Sequence, residues 1–136
     1  VMYAGKVVEY AATEPLLQRP YHPYTLGLKN AFPRIKGPKQ DLISIPGSPP
    51  DLTNPPSGCR FHPRCPFAKQ QCIEEEPAIG EVEPDHYSAC HFPELASVFR
   101  EQATDRKLWE QSNIKNIGSE SGNKHDNGVV HQKDVG

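Results

Sequence analysis

Four cysteines, Cys59, Cys65, Cys72 and Cys90, are the residues of this chain whose type and spacing could do chemistry, and the chain has no other cysteine. They are spaced C-x5-C-x6-C-x17-C, with Arg60, Arg64 and Lys69 interleaved among the first three. Four thiolates can close a tetrahedral zinc site or ligate an iron–sulfur cluster. Either would concentrate negative charge, and no acidic residue occurs from Leu52 to Ile73 to oppose it. Pro63 and Pro66 stiffen the first loop, which lowers the entropy lost on wrapping a metal group. Zinc knuckles usually use closely spaced C-x-x-C pairs, and there is none here. The wider spacing favours an iron–sulfur cluster, while zinc, disulfides and unligated thiols remain open from the residues alone. His62, His86 and His91 read as solvated or hydrogen-bonded loop histidines. His91, directly after Cys90, is the best substitute ligand among them.

Other chemistry is sparse. Gly5-Lys6 lacks the upstream glycine and following Ser or Thr of a phosphate loop. No Ser/His/Asp arrangement has supporting context, and the run Glu74-Glu75-Glu76 reads as a solvated face. Tyr21, Tyr24 and Phe32 read as packing residues, and His125 and His131 are isolated.

The elements that must position the cysteines are short. Residues 1–10 (VMYAGKVVEY) predict a β-hairpin turning at Ala4-Gly5-Lys6. Thr13 is the expected N-cap of a helix carrying Leu16 and Leu17 and ended by Pro20. His22-Pro23 opens a second helix, with Leu26, Leu28, Ala31 and Phe32 as its apolar face and Pro33 as its stop. Leu42, Ile43 and Ile45 predict a short strand before a proline-rich stretch. Pro93-Glu94 starts a last helix with Leu95, Val98, Phe99 and further on Leu108 and Trp109 as apolar positions. The Gly-, Ser- and Asn-rich stretch beyond Ser112 reads as a disordered tail.

Composition limits what these elements can build. Of 136 residues only 35% are hydrophobic, and all 15 prolines fall between Pro15 and Pro93, so the core is small and needs a staple. The net charge of −2 provides no electrostatic footprint for nucleic acid. The chain opens on Val1 in mid-strand with no signal peptide, which reads as a segment of a longer protein in a reducing compartment. The expected fold is α+β, small and irregular: an N-terminal β-hairpin, short helices, a proline-rich cysteine loop module and the tail.

At this point the residues carry a resemblance. VMYAGKVVEYA resembles the strand pair just after the switch histidine in ATP-binding subunits of ABC importers. RPYHPYTLGLKNAFP resembles the end of the nucleotide-binding domain in the oligopeptide, dipeptide and nickel branch of that family. IPGSPPDLTNPPSGCRFHPRCPFAKQQC followed by HYSACHFPE is similar to that branch's C-terminal extension, named for the element seen here as His22-Pro23-Tyr24. The resemblance covers about residues 1 to 95. It implies that residues 1–36 end a nucleotide-binding domain, that residues 37–100 are the extension with its four-cysteine site, and that residues 101–136 begin helical and run into the tail.

It also implies a peripheral subunit on the cytoplasmic face of the inner membrane, paired with a homologous ATP-binding subunit and docked on transmembrane permease subunits. Some family members ligate a 4Fe-4S cluster through their four cysteines, and the matching positions here are Cys59, Cys65, Cys72 and Cys90. The phosphate loop, signature motif, Walker B strand and switch histidine of the family have no match in this sequence. ATP and Mg2+ are therefore expected only in the full-length parent, and the chain itself is expected to be a non-catalytic accessory segment. The alternative is an independent zinc-binding module that uses its proline-rich surface for protein interaction. A disulfide-stapled secreted domain is the third reading.

Overall fold

A computed structural model describes residues 1–33, 36–39 and 41–112. Its α+β architecture is small: among the described residues, two antiparallel sheets and several short helices pack around one aromatic core. The proposed disordered tail lies outside the described residues.

Strands β1 (Met2–Tyr3) and β2 (Lys6–Val7) form the expected hairpin, pairing Met2 with Val7 and Tyr3 with Lys6. Ala4 and Gly5 both take positive φ, +48° and +79°, the geometry of a two-residue turn that matches strand twist. The chain then leaves this hairpin. β3 (Glu9–Tyr10) joins a second sheet of order β3-β5-β4, built with β4 (Gly80–Glu83) and β5 (His86–Ser88). Val8 sits at the crossing: its amide donates to Val1 at 2.9 Å and its carbonyl accepts from Ala89 at 2.8 Å. The run Glu74-Glu75-Glu76 is exposed, in keeping with its reading as a solvated face. Residues 80–88 form a hairpin whose turn puts Asp85 at φ +59°.

Helix α1 (Thr13–Gln18) starts one residue earlier than Thr13 as N-cap would require. Ala12 is the N-cap, without a side-chain bond. Starting there places Pro15 in the first turn, where a missing N–H is no loss. Helix α2 (Pro23–Ala31) opens as expected at His22-Pro23. Its buried side is Pro23, Thr25, Leu26 and Gly27, whereas Phe32 is 66% exposed, contrary to its expected packing role. The helix has ended by Phe32, whose extended backbone turns the ring away from the face that Leu26 buries.

The expected strand over 42–45 does not form. Its backbone groups are satisfied elsewhere: the Ile43 amide donates to Asn30, Arg106 donates to the Leu42 carbonyl, and Arg64 donates to the Ile45 and Pro46 carbonyls. With those groups paired, the segment needs no strand partner.

Helix α3 (Gln70–Glu74) carries Cys72, and helix α4 (Ala96–Gln102) follows a 3-10 turn over Pro93–Leu95. On α4, Ala96 and Phe99 are buried, but Val98 is 43% exposed. Residues 106–112 are helical again and bring Trp109 into the core.

That core joins Tyr3, Val8, Leu26, Ile43, Phe61, Phe99, Ala103 and Trp109. Tyr3, Tyr24 and Phe61 pack as a trio with ring centroids 4.6–5.3 Å apart, and Phe67 stacks on Phe99 at 4.2 Å. Trp109 Nε1 and Asn30 Nδ2 both donate to the Ala103 carbonyl, closing the buried end of α4. Among the described residues no helix is long and apolar enough to cross a membrane.

Candidate metal centre

The loop that carries Cys59 is shaped by Gly58, whose φ is +64°. That turn brings the chain against the end of α3, where the Cys59 amide donates to the Cys72 carbonyl at 2.8 Å and Ser57 Oγ donates to the Ile73 carbonyl at 2.8 Å. A 3-10 turn over His62–Arg64 then leads to Cys65, whose amide donates to the His62 carbonyl. Cys72 is the third residue of α3, and Cys90 leaves β5. The loop after Gly58, the 3-10 turn, α3 and the segment after β5 thereby bring all four cysteines onto the wall of one cavity of ≈ 20 Å³. The rest of that wall includes Pro23, Phe61, Phe67, Pro77, Phe92 and Phe99, so the sulfurs face apolar surroundings.

All four are free thiols, Cys72 buried and the others partly so. Burial pushes the Cys59 and Cys65 thiols up, Cys65 well above its ordinary value, and Cys90 to about 11. Main-chain amides work in the opposite direction. Phe61 and His62 donate to the Cys59 sulfur, Phe67 donates to Cys65, and Phe92 donates to Cys90 at 3.5 Å. Lys69 donates to Cys72 at 3.5 Å within the N-terminal turn of α3. An N–H aimed at a sulfur stabilises its charged form, and apolar walls destabilise an isolated charge. The arrangement therefore suits thiolates that are neutralised together by a bound cation. The four thiols have the chemistry of metal ligands, but among the described residues no group of three or more His, Cys, Asp or Glu side chains is placed to hold a metal ion.

The basic residues do something other than surround the sulfurs. Arg60 donates to the Ala4 carbonyl at 2.5 Å, tying the cysteine loop to the β1–β2 turn. Arg64 donates to the Ile45, Pro46 and Gly47 carbonyls and to Tyr3 Oη. Lys69 lies over the Phe92 ring, 4.5 Å from its centroid.

The histidines also separate. His91 borders the cavity, with Nε2 donating to the Glu75 carbonyl and Nδ1 accepting from Gln71. His62 borders it too, and its Nδ1 is 2.8 Å from the Cys59 carbonyl. His86 is no loop histidine: it is 1% exposed, with Nε2 2.5 Å from Glu9 Oε2. Glu9, fully buried, also accepts from the Tyr21 and His22 amides at 2.9 and 2.8 Å. His22 is buried in turn and caps α2, its Nδ1 accepting from the Tyr24 amide at 3.0 Å. Desolvation holds its pKa down at about 3, so the ring is neutral. Sequence reasoning missed this chain of contacts, for which the available signal was one carboxylate inside the β-rich run VVEYA.

Comparison with known proteins places these features. Residues 8–72 match the model of the oligopeptide/dipeptide transporter, C-terminal region. The chain is 44% identical over 94 residues to the dipeptide transport ATP-binding protein DppD of Caldanaerobacter subterraneus subsp. tengcongensis, covering 69% of this chain and 29% of that protein. It is 50% identical over 72 residues to the oligopeptide transport ATP-binding protein OppD of Haemophilus influenzae, covering 53% and 22%. Against OppD of Escherichia coli K12 the identity is 42% over 93 residues, covering 68% and 27%. The chain thus spans less than a third of the length of these relatives. Residues 8–72, which hold the buried Glu9, the capping His22 and the first three cysteines, belong to the oligopeptide/dipeptide transporter C-terminal region.

Proposed function

We propose that this chain is the C-terminal accessory part of an ATP-binding subunit that powers ATP-driven peptide import, and that Cys59, Cys65, Cys72 and Cys90 ligate a 4Fe-4S cluster. The first half rests on the family match and on relatives named as dipeptide and oligopeptide transport ATP-binding proteins. In this reading ATP and Mg2+ bind to other segments of the parent, and the chain itself is not an enzyme. The parent works with a homologous ATP-binding subunit and a permease pair, peripherally on the cytoplasmic face of the inner membrane.

One observation carries the cluster. Each of the four cysteines receives a main-chain N–H at its sulfur, and all four border one apolar cavity. Zinc needs its sulfurs about 2.3 Å from a single point. Among the described residues no group of three or more His, Cys, Asp or Glu side chains is placed to hold a metal ion, so neither zinc nor a cluster has a preformed ligand set. A four-iron cluster takes one sulfur per iron and accepts a wider set. When bound, the cluster supplies positive charge that keeps four thiolates together. The chain's own residues position it: Gly58 turns the loop, α3 presents Cys72, and the phenylalanines exclude water.

The narrowness of the cavity, ≈ 20 Å³, favours a single zinc ion instead, and a zinc-binding interaction module is the second reading. Anaerobic purification of the chain decides between them. The cluster gives a brown protein absorbing at about 400 nm with iron and sulfide in equal amounts. A colourless protein carrying one zinc ion per chain sinks the cluster and leaves the zinc module. Loss of all thiols to disulfides sinks both.

A further inference from the structure

The buried ring of His86 on β5 has a carboxylate near each of its nitrogens. Nε2 is 2.5 Å from Glu9 Oε2 on β3, and Nδ1 is 3.9 Å from Glu83 Oε1 on β4. Nδ1 is buried and has no hydrogen-bond partner among the described residues. Glu9 also accepts from the Tyr21 and His22 amides, which favours its ionised form. Arg19, the residue that ends α1, donates from Nε to both oxygens of Glu83 at 2.9 and 3.0 Å. That guanidinium holds the Glu83 carboxyl below the ordinary value. A neutral ring donating from Nε2 to Glu9 would set a bare Nδ1 lone pair beside a second carboxylate, acceptor against acceptor. Hydrogens on both nitrogens turn that repulsion into attraction. The other titratable or charged groups nearby are four. The Tyr21 ring meets His86 edge-on at 5.0 Å, and Arg100 of α4 lies over that ring at 4.8 Å. His22 is neutral, and the Val1 ammonium donates to the Glu9 carbonyl at 2.7 Å.

We propose that His86 carries both ring hydrogens in the folded protein and is the centre of a pH-sensitive lock, Arg19–Glu83–His86–Glu9, that holds the β4–β5 hairpin to α1 and β3 and releases as the pH rises. Charge alternates along the four side chains, from the end of α1 through β4 and β5 to β3. Release sends the Nδ1 proton to solvent and leaves Glu83 held by Arg19 alone. The sign follows from linkage. The folded chain holds a proton that the unfolded chain has given up. The lock's contribution is therefore complete below about pH 6.5, where an ordinary histidine is charged too, and is lost as the pH rises through the release. β5 ends at Ser88, so the lock also fixes the segment that delivers Cys90.

The test uses the full chain labelled with 13C and 15N, so that the His86 ring is assigned through its own backbone. Ring-nitrogen NMR at about pH 7.5, where an exposed histidine is only about one-tenth charged, reads the protonation state directly. Both His86 nitrogens are expected to resonate as protonated, and a bare Nδ1 overturns the proposal. Glu83→Gln keeps the side chain's length and removes its charge. In that variant the Nδ1 hydrogen should be lost at lower pH than in the wild type, whereas Glu81→Gln, on the same hairpin, should leave the loss where it was. Equal release in the wild type and Glu83→Gln overturns the role of Glu83. Urea unfolding then tests the lock itself. Between pH 7 and pH 9 the midpoint should fall further in the wild type than in Glu83→Gln, and an equal fall overturns it. The Val1 amino group and the thiols titrate in the same range but are common to both proteins. Should Glu83→Gln fail to fold, the wild-type spectrum at about pH 7.5 still decides whether His86 carries both hydrogens.

Discussion

The carboxylate of Glu9 lies 2.5 Å from Nε2 of His86, with both side chains almost completely removed from solvent. The two residues are 77 positions apart in sequence. The same carboxylate accepts from the Tyr21 and His22 amides, so one buried group joins β3, β5 and the entry to α2. Placing a negative charge at the start of a helix is favourable, and here it also orients the residue that caps that helix. Through His22 the connection reaches the wall of the cysteine cavity.

Glu9→Gln is expected to be strongly destabilising. Removing one partner from a buried hydrogen-bonded pair typically costs about 3–5 kcal/mol. The amide that replaces one oxygen also meets N–H donors it cannot accept from. Urea unfolding of the variant should show a loss of about 3 kcal/mol, and a loss under about 1 kcal/mol would show that Glu9 is not the joint described here.

Gly58→Ala should abolish assembly of the metal centre. Gly58 is at φ +64°, and an added Cβ would overlap the Cys72 carbonyl oxygen and come within 2.7 Å of the Ile73 carbonyl. Both obstacles are backbone, so no rotamer change relieves them, and the Cys59-to-Cys72 hydrogen bond must break. Gly80→Ala is the control, since nothing lies within 4 Å of its added Cβ. Metal content of the two purified variants checks this; equal loading would refute the role given to Gly58.

Cys65→Ser is expected to lose the metal group and, with it, the order of residues 55–92, because metal-binding energy in such a site is folding energy. Limited proteolysis followed by mass spectrometry reads this directly. Cuts should appear between residues 55 and 92 in the variant and not in the loaded wild type. Full protection of that stretch in the variant contradicts the prediction.

His22 makes stability depend on pH with a definite sign. Burial holds its folded pKa at about 3, below the value of 6.5 for an exposed histidine. Between those values the unfolded chain binds a proton that the folded chain does not, so stability is complete above about pH 6.5 and falls as the pH drops towards 3. The urea midpoint should fall between pH 7 and pH 5 by more in the wild type than in His22→Asn. Identical slopes would mean that His22 is not the group responsible.

Much of the local structure was legible in the chain. Ala4-Gly5 announced the hairpin, and His22-Pro23 announced the start of α2, because turn and cap chemistry act over a few residues. The cysteine spacing and the motifs around it pointed to one candidate centre and to its family. The same reasoning went wrong where a segment's partner was remote. Residues 42–45 read as a strand, yet Asn30, Arg64 and Arg106 take their backbone groups. Arg64 read as charge compensation for sulfur, and it serves carbonyls 17–19 residues away instead.

The sequence by itself determined the donor chemistry: four thiols, no fifth, and glycines and prolines that bend the loops between them. Only the tertiary structure decided that Cys90 joins the other three on one cavity wall, that Glu9 and His86 meet, and that His22 is buried beside them. Local rules act through neighbouring backbone groups and can be read along the chain. Burial and long-range pairing depend on which surfaces the folded core brings together, and no periodicity in a run of two or three residues encodes that.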